Sequence, residues 1–66
     1  MKLQINGQIK EIENSATLIS LVAQFSKRPD VVITELNGAI IDRTAWPTAT
    51  LKDGDRIELI SFVGGG

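Results

Sequence analysis

The residues with the greatest capacity for chemistry are the last three of the sequence, Gly64, Gly65 and Gly66. Glycine adds little to a folded core, because it has no side chain to pack and loses more conformational entropy on ordering than any other residue. Three such residues extend roughly 10 Å, and without Cβ atoms they can enter a narrow channel. We therefore expect residues 64–66 to form a flexible tail with a free α-carboxylate on Gly66, which is ionised at neutral pH.

A carboxylate at the tip of such a tail can be made reactive. It is a poor electrophile, because nucleophilic attack would add charge to a group that is already anionic. Transfer of AMP from ATP to the Gly66 carboxylate would form a mixed anhydride, and a sulfur nucleophile could then displace AMP to leave a thiocarboxylate. We expect Gly64 and Gly65 to fit the active sites of the enzymes that act on Gly66. The plain alternative is an idle, linker-like glycine end.

The composition indicates that other proteins must catalyse this chemistry. The chain contains no cysteine and no histidine, which excludes a thiol nucleophile and every Ser-His or Cys-His pair. It also has no glycine-rich phosphate loop with its lysine. Asp53, Asp55 and Glu58 match only a fragment of a calcium loop, so we interpret them as a solvated turn. We expect a protein substrate rather than an enzyme, with no cofactor or metal of its own.

Size and charge limit the kinds of partner. A chain of 66 residues is expected to form one domain with a small core. Its net charge of −1 provides no attraction to nucleic acid or to an anionic membrane, and its apolar runs are too short to span a bilayer. Because Met1 and Lys2 lead directly into an alternating segment rather than an apolar signal, we expect a cytoplasmic protein.

The first element is predicted to be a β-hairpin. Leu3 and Ile5 alternate with polar residues, so they share one face of a strand. The following Asn6-Gly7 pair favours a two-residue type I′ turn, which needs positive φ at both positions. A second strand then covers about residues 8–11, and we expect Ile9 on its buried face.

A helix and more strands follow the hairpin. Asn14 or Ser15 can cap the helix, and Pro29 prevents its continuation. Its apolar residues recur at helical spacing and form one stripe: Leu18, Leu21, Val22 and Phe25. The hairpin pattern repeats around Asn37-Gly38, Trp46 is expected to fill a gap in the core, and residues 56–63 form the last strand.

This order of elements predicts an α+β fold in which a mixed sheet of about five strands packs against one main helix. If the last strand pairs beside the first, both lie at the centre of the sheet. That arrangement is the β-grasp, or ubiquitin-like, fold. We expect residues 1–63 to form the β-grasp domain, with residues 64–66 as its tail.

Over nearly its whole length the chain resembles the ThiS family of bacterial sulfur carrier proteins. The resemblance rests on the order and spacing of several motifs: Leu3-Gln4-Ile5-Asn6-Gly7, Ala16-Thr17-Leu18, Val31-Val32-Ile33-Thr34-Glu35-Leu36-Asn37-Gly38, Arg43-Thr44-Ala45-Trp46, Leu51-Lys52-Asp53-Gly54-Asp55-Arg56-Ile57-Glu58 and the terminal glycines. It implies that a ThiF-type enzyme adenylates Gly66 and that a sulfur-donating enzyme allows its conversion to a thiocarboxylate. It also implies delivery of the sulfur to the ThiG thiazole synthase for the thiazole ring of thiamin. Gly65 and Gly66 match the family's terminal pair, and Gly64 is an additional glycine.

Three other functions fit the same sequence features. The small subunit of molybdopterin synthase resembles this family in fold, ending and activation, but such subunits tend to be longer. A modifier of the ubiquitin kind would also be activated at its terminal glycine. A β-grasp module that only binds a partner would carry its glycines incidentally.

The alternation of the last strand predicts where partners dock. If Ile57, Leu59 and Val63 face the helix, then Ile60 and Phe62 face water. Two large apolar side chains beside a functional tail suggest the centre of an interface. We therefore expect Ile60 and Phe62 to seat the carrier on its partners, unless a bulge near Leu59 or Ile60 turns both side chains inward.

Overall fold

The computed structural model describes residues 1–61, and they form five strands and one α-helix. In chain order the elements are β1 (Lys2–Ile5), β2 (Gln8–Glu11), α1 (Leu18–Phe25), β3 (Val32–Leu36), β4 (Ala39–Ile41) and β5 (Arg56–Ser61). Short 3₁₀ turns cover Pro29–Val31 and Arg43–Ala45. Of the predicted site residues, Phe62, Gly64, Gly65 and Gly66 lie outside the described residues, as does Val63.

The sheet has the strand order β2-β1-β5-β3-β4. The β1–β5 pair is parallel, whereas the β1–β2, β3–β4 and β3–β5 pairs are antiparallel. The first and last strands are therefore neighbours in the middle of a mixed sheet. This confirms the predicted β-grasp fold.

Both Asn-Gly pairs form the predicted hairpin turns. Asn6 and Gly7 have φ values of 50° and 84°, and Asn37 and Gly38 have φ values of 53° and 89°. Positive φ at both central positions gives the turn a twist that matches the strands it joins. Asparagine and glycine suit these positions, because both tolerate positive φ.

The prediction that Ile9 is buried is wrong, because the side chain is 65% exposed. A two-residue turn places Ile5 opposite Gln8, so Ile9 lies opposite Gln4. Opposite residues of an antiparallel pair share a face, and Gln4 lies on the face away from the helix, since its neighbours Leu3 and Ile5 are buried. The turn length thus sets the orientation of Ile9.

The core lies between α1 and the inner face of the sheet. Leu18, Leu21 and Val22 of the helix are fully buried, as predicted, but Phe25 at the helix end is 37% exposed. The N-cap is Thr17 rather than Asn14 or Ser15, and its backbone N–H donates to Ser20 Oγ at 3.0 Å. Among residues 1–61, the sheet and loops add six buried apolar side chains to the core: Leu3, Ile5, Ile12, Val32, Trp46 and Ile57.

Trp46 belongs to this core, as predicted. Its indole Nε1–H donates to Oγ1 of Thr34 at 3.0 Å, and both side chains are buried. The guanidinium carbon of Arg43 lies 4.7 Å from the centre of the Trp46 rings. Within residues 1–61 no helix is both long and apolar enough to cross a membrane.

Candidate functional site

The candidate site is the end of β5, because this strand leads to the glycines. β5 lies between β1 and β3 at the centre of the sheet. On the β3 side it is paired from Ile57, opposite Leu36, to Ser61, opposite Val32. On the β1 side the pairing stops at Ile57, opposite Ile5, because the chain turns away at Asn6.

Asn6 continues the hydrogen bonding of β5 beyond this point. Its backbone N–H donates to the Ile57 carbonyl at 3.0 Å. Its side-chain Oδ1 accepts the Leu59 N–H at 2.8 Å, and its Nδ2 donates to the Leu59 carbonyl at 3.4 Å. Sequence reasoning identified Asn6 only as a turn residue and missed this contact, which joins residues 53 positions apart.

Asn37 makes a similar contact at the beginning of β5. Its backbone N–H donates to the Arg56 carbonyl at 2.8 Å, and its Oδ1 accepts the Arg56 N–H at 2.9 Å. Its Nδ2 donates to Oδ1 of Asp55 at 2.9 Å. The two turn asparagines therefore hold the central strand from its two neighbouring hairpins.

Asp55 is not part of a solvated turn, and that prediction is wrong for this residue. Its side chain is only 4% exposed, and Oδ2 accepts the Lys52 N–H at 2.9 Å while Oδ1 lies 3.4 Å from Lys52 Nζ. Burial alone raises the pKa of the Asp55 carboxyl, but the hydrogen bonds from Asn37 and Lys52 and the Lys52 charge outweigh it, so the pKa is lowered. Asp55 thus anchors the loop before β5.

Asp53 and Glu58, the acidic residues on either side of Asp55, point to different parts of the molecule. Asp53 Oδ1 accepts the Lys2 N–H at 2.6 Å, which ties the same loop to β1. Glu58 points away from the helix, on the opposite face of β5 from Ile57. Residues 1–61 contain no group of three acidic, cysteine or histidine side chains that could hold an ion.

Ile60 faces away from the helix, as the alternation predicted. The β5 ladder continues in regular register through Ser61 opposite Val32, so the described strand has no bulge at Leu59 or Ile60. Leu59 packs against the core, whereas Ile60 is 39% exposed. Phe62, the second predicted docking residue, lies outside the described residues.

Ile60 has apolar neighbours on the outer face of the sheet. Ile33 of β3 lies directly opposite Ile60, and Ile40 of β4, which is 69% exposed, lies diagonally across from Ile33. We call Ile33, Ile40 and Ile60 the outer apolar patch. Three apolar side chains at one corner of an exposed sheet face form a surface that a partner can cover.

A polar region adjoins the outer apolar patch. Glu35 and Glu58 lie opposite each other in the β3–β5 pair, and Arg56 lies two residues before Glu58. A shallow depression on this face is lined by these side chains and the two turns: Gln4, Gly7, Glu35, Gly38, Arg56 and Glu58. The depression therefore combines the opposed side chains of Glu35 and Glu58 with the guanidinium of Arg56.

Comparisons with known proteins agree on one family. The sequence model of the ThiS family matches residues 3–66. The chain is 37% identical to the sulfur carrier protein ThiS of Bacillus subtilis over 97% of this chain and 98% of that protein. It is 33% identical over its full length to a thiazole synthase of Magnetococcus marinus, but it spans only 20% of the length of that enzyme.

A solved structure extends the likeness to the fold. The crystal structure of the thiamine biosynthesis protein ThiS from Geobacter metallireducens superimposes with a TM-score of 0.86. That protein is 35% identical in sequence, and the match covers 100% of both chains. The arrangement of β5 beside β1 and β3 is therefore shared with a protein of known three-dimensional structure.

Proposed function

The chain belongs to the ThiS family, and we propose that it is a sulfur carrier whose Gly66 carboxylate is adenylated, converted to a thiocarboxylate and used as the sulfur source for the thiazole ring of thiamin. The observation that carries the proposal is the match to the Bacillus subtilis sulfur carrier, which spans nearly the whole of both chains. The sequence supports it independently, because Gly64, Gly65 and Gly66 follow shortly after the central strand β5.

The proposed reaction has two steps at the Gly66 carboxylate group. In the first, a carboxylate oxygen attacks the α-phosphorus of ATP, which forms the acyl-adenylate and releases pyrophosphate. In the second, a sulfur nucleophile provided by a sulfur-donating enzyme attacks the carbonyl carbon and displaces AMP. When the donor is a cysteine persulfide, the product is an acyl disulfide. A second thiol of the donor system then attacks the donor's sulfur, which forms a disulfide there and releases the carrier as a thiocarboxylate.

The catalysts of both steps are proposed to be partner enzymes. The chain has no cysteine to carry a persulfide and no histidine to act as a general base at neutral pH. A ThiF-type adenylating enzyme would bind ATP and the tail, and Gly64 and Gly65 would lie in the channel that leads to its active site. The carrier would contribute the carboxylate and the surface that brings it there.

The proposed acceptor of the sulfur is a ThiG-type thiazole synthase. The support is the thiazole synthase of Magnetococcus marinus, in which a stretch equal to 20% of the enzyme resembles this whole chain. A carrier-like sequence within a synthase is the arrangement expected when the two act together. Of the other functions that fit the sequence, none has comparable support.

The proposed docking surface is the outer apolar patch together with Phe62. Ile60 is exposed two residues before Phe62 and six before Gly66. A partner that covers Ile33, Ile40 and Ile60 would therefore hold the carrier close to the origin of the tail. Glu35 and Glu58 beside the patch favour a partner with basic side chains, because such groups steer and orient docking.

Intact mass measurement tests the proposal. The chain is incubated with ATP, a ThiF-type enzyme and a sulfur source, and we expect a mass gain equal to the exchange of one oxygen for sulfur. A variant that lacks Gly64, Gly65 and Gly66 no longer ends in glycine, so it is the control and should stay unchanged. An unmodified wild-type chain, under conditions in which the enzyme activates its own carrier, would refute the proposal.

A further inference from the structure

Asn6 makes contacts that exceed what its turn requires. The type I′ turn needs only positive φ at this position, and glycine adopts such φ values at no steric cost. Nevertheless the Asn6 amide makes two hydrogen bonds to Leu59, at 2.8 and 3.4 Å. The choice of asparagine therefore has a consequence for β5 as well as for the hairpin.

The Asn6 side chain takes the place of a missing piece of β1. In a parallel pair, one residue donates its N–H to the neighbouring strand and accepts an N–H two residues further along that strand. Asn6 donates its backbone N–H to Ile57, so its backbone carbonyl would accept the Leu59 N–H if β1 continued. The chain turns at φ 50° instead, and Oδ1 accepts that N–H.

This contact determines how far β5 is held on its β1 side. β1 is paired with β5 at only two positions, Gln4 with Arg56 and Ile5 with Ile57. Within the described residues, the Asn6 amide is what extends the β1 side of the hydrogen-bonded strand to Leu59, whereas β3 holds the other side to Ser61. Without the amide, the last residues of β5 would be held mainly from one side.

We infer that Asn6 is a positioning residue for the reactive end of the chain: its side-chain amide fixes Leu59 and so sets the point from which the glycines reach into a partner active site. The inference rests on the proposed function and adds a residue to it. A fixed origin lowers the entropy that must be lost when the tail enters its channel. Loss of the amide should therefore slow activation more than it weakens folding.

Asn37 provides a matched control. It has nearly the same φ, the same turn position and the same substitution of a side-chain oxygen for a backbone carbonyl, but it holds Arg56 at the other end of β5. In both Asn6→Gly and Asn37→Gly the turn keeps a residue that tolerates positive φ. The two variants therefore remove similar bonds from opposite ends of one strand, and Asn37→Gly also removes the hydrogen bond from Nδ2 to the buried Asp55 carboxylate.

The experiment compares amide hydrogen exchange and activation in these variants at a temperature where all are folded. In Asn6→Gly we expect faster exchange at Leu59 and a kcat/KM for ATP–pyrophosphate exchange by the ThiF-type enzyme that is lower by roughly fivefold, as expected for one ordinary hydrogen bond. In Asn37→Gly we expect faster exchange at Arg56 and an unchanged kcat/KM. Asn6→Asp keeps an oxygen that accepts the Leu59 N–H but loses the Nδ2 donor to the Leu59 carbonyl, so its kcat/KM should lie between those of Asn6→Gly and the wild type.

The measurements distinguish an error in the role of Asn6 from an error in the proposed function. Equal activation of Asn6→Gly and the wild type would overturn the inference and leave the proposed function intact. Equal loss in Asn6→Gly and Asn37→Gly would also overturn it, because general loosening of β5 would then be the cause. A wild-type chain that is not activated would refute the proposed function, and the role of Asn6 in it would fall as well.

Discussion

The buried indole of Trp46 and the buried hydroxyl of Thr34 satisfy each other, with Nε1–H donating to Oγ1 at 3.0 Å. The Thr34 hydroxyl in turn donates to the Ile41 carbonyl at 3.2 Å. This short chain joins the loop after β4 to strands β3 and β4. A buried polar group costs stability when its partner is removed, so loss of either partner in this contact should lower the free energy of unfolding.

Thr34→Val should lower the free energy of unfolding by about 1–3 kcal/mol, because it leaves the Trp46 N–H buried without an acceptor. Trp46→Phe removes that donor and also some core volume. In a double-mutant cycle measured by urea denaturation, the second substitution should cost less in the presence of the first, with a coupling of about 1 kcal/mol. Additive losses would show that the hydrogen bond contributes little.

Because of Asp55, the free energy of unfolding should depend on pH in the acid range. Its pKa is lowered in the folded state, so between the folded and unfolded pKa values the unfolded chain binds more protons. The stabilisation is therefore complete above the ordinary aspartate pKa of about 3.9 and is lost as the pH falls through the lower folded value. Asp55→Asn should lower the free energy of unfolding at neutral pH by about 1–3 kcal/mol. In this variant the free energy of unfolding should also fall less steeply as the pH is lowered.

Asp30→Asn is the control for this titration. Asp30 also has a lowered pKa, chiefly through its hydrogen bond with Arg28, but the pair is exposed to solvent. Exposed ion pairs contribute little to stability. Chemical denaturation across the acid range should therefore show a larger change for Asp55→Asn, and equal curves for both variants would argue against a special role of Asp55.

Gly65→Val should slow activation by the adenylating enzyme, because a branched side chain would not fit a narrow channel. The unfolding midpoint should not change, because glycine has no side chain to contribute to a core. Gly54→Ala is the opposite case, since Gly54 has φ 89° and a side chain there strains the backbone by about 1–2 kcal/mol. We expect its thermal midpoint to fall while activation per folded molecule stays unchanged. Parallel losses of stability and activation in Gly65→Val would mean that the tail is structural.

Changing Ile60 and Phe62 together to Ser should weaken binding to both the adenylating enzyme and the thiazole synthase. Ile60 is already exposed, so its replacement should alter the unfolding midpoint little. Ile9→Ser is the matched control, because Ile9 lies on the same outer face but on β2 at the far edge. Calorimetric titration measures the affinities, and a loss of several kcal/mol in stability would instead assign the pair to the core.

Short-range patterns in the sequence were sufficient to predict most of the strands, turns and the helix. The Asn-Gly pairs, the apolar stripe of α1 and the alternation in β5 each act over a few residues. The structure confirms both turns, the stripe from Leu18 to Val22 and the alternation from Ile57 to Ile60. The error at Ile9 was also local, since the two-residue turn already implies that Ile9 lies opposite Gln4. The exposure of Phe25 was less predictable, because Phe25 is the last residue of α1 and helical spacing alone does not say which end residues are covered.

The sequence by itself determined the types of secondary structure, the glycines at residues 64–66 and the absence of cysteine and histidine. These features depend only on residue type and on near neighbours along the chain. Only the tertiary structure decided that Asp55 is buried beneath Asn37 and that the Asn6 amide binds Leu59. Asn6 and Leu59 are 53 positions apart, and no periodic pattern records which polar groups meet over such a separation. Their pairing follows from the parallel β1–β5 register, which exists only once the whole sheet has assembled.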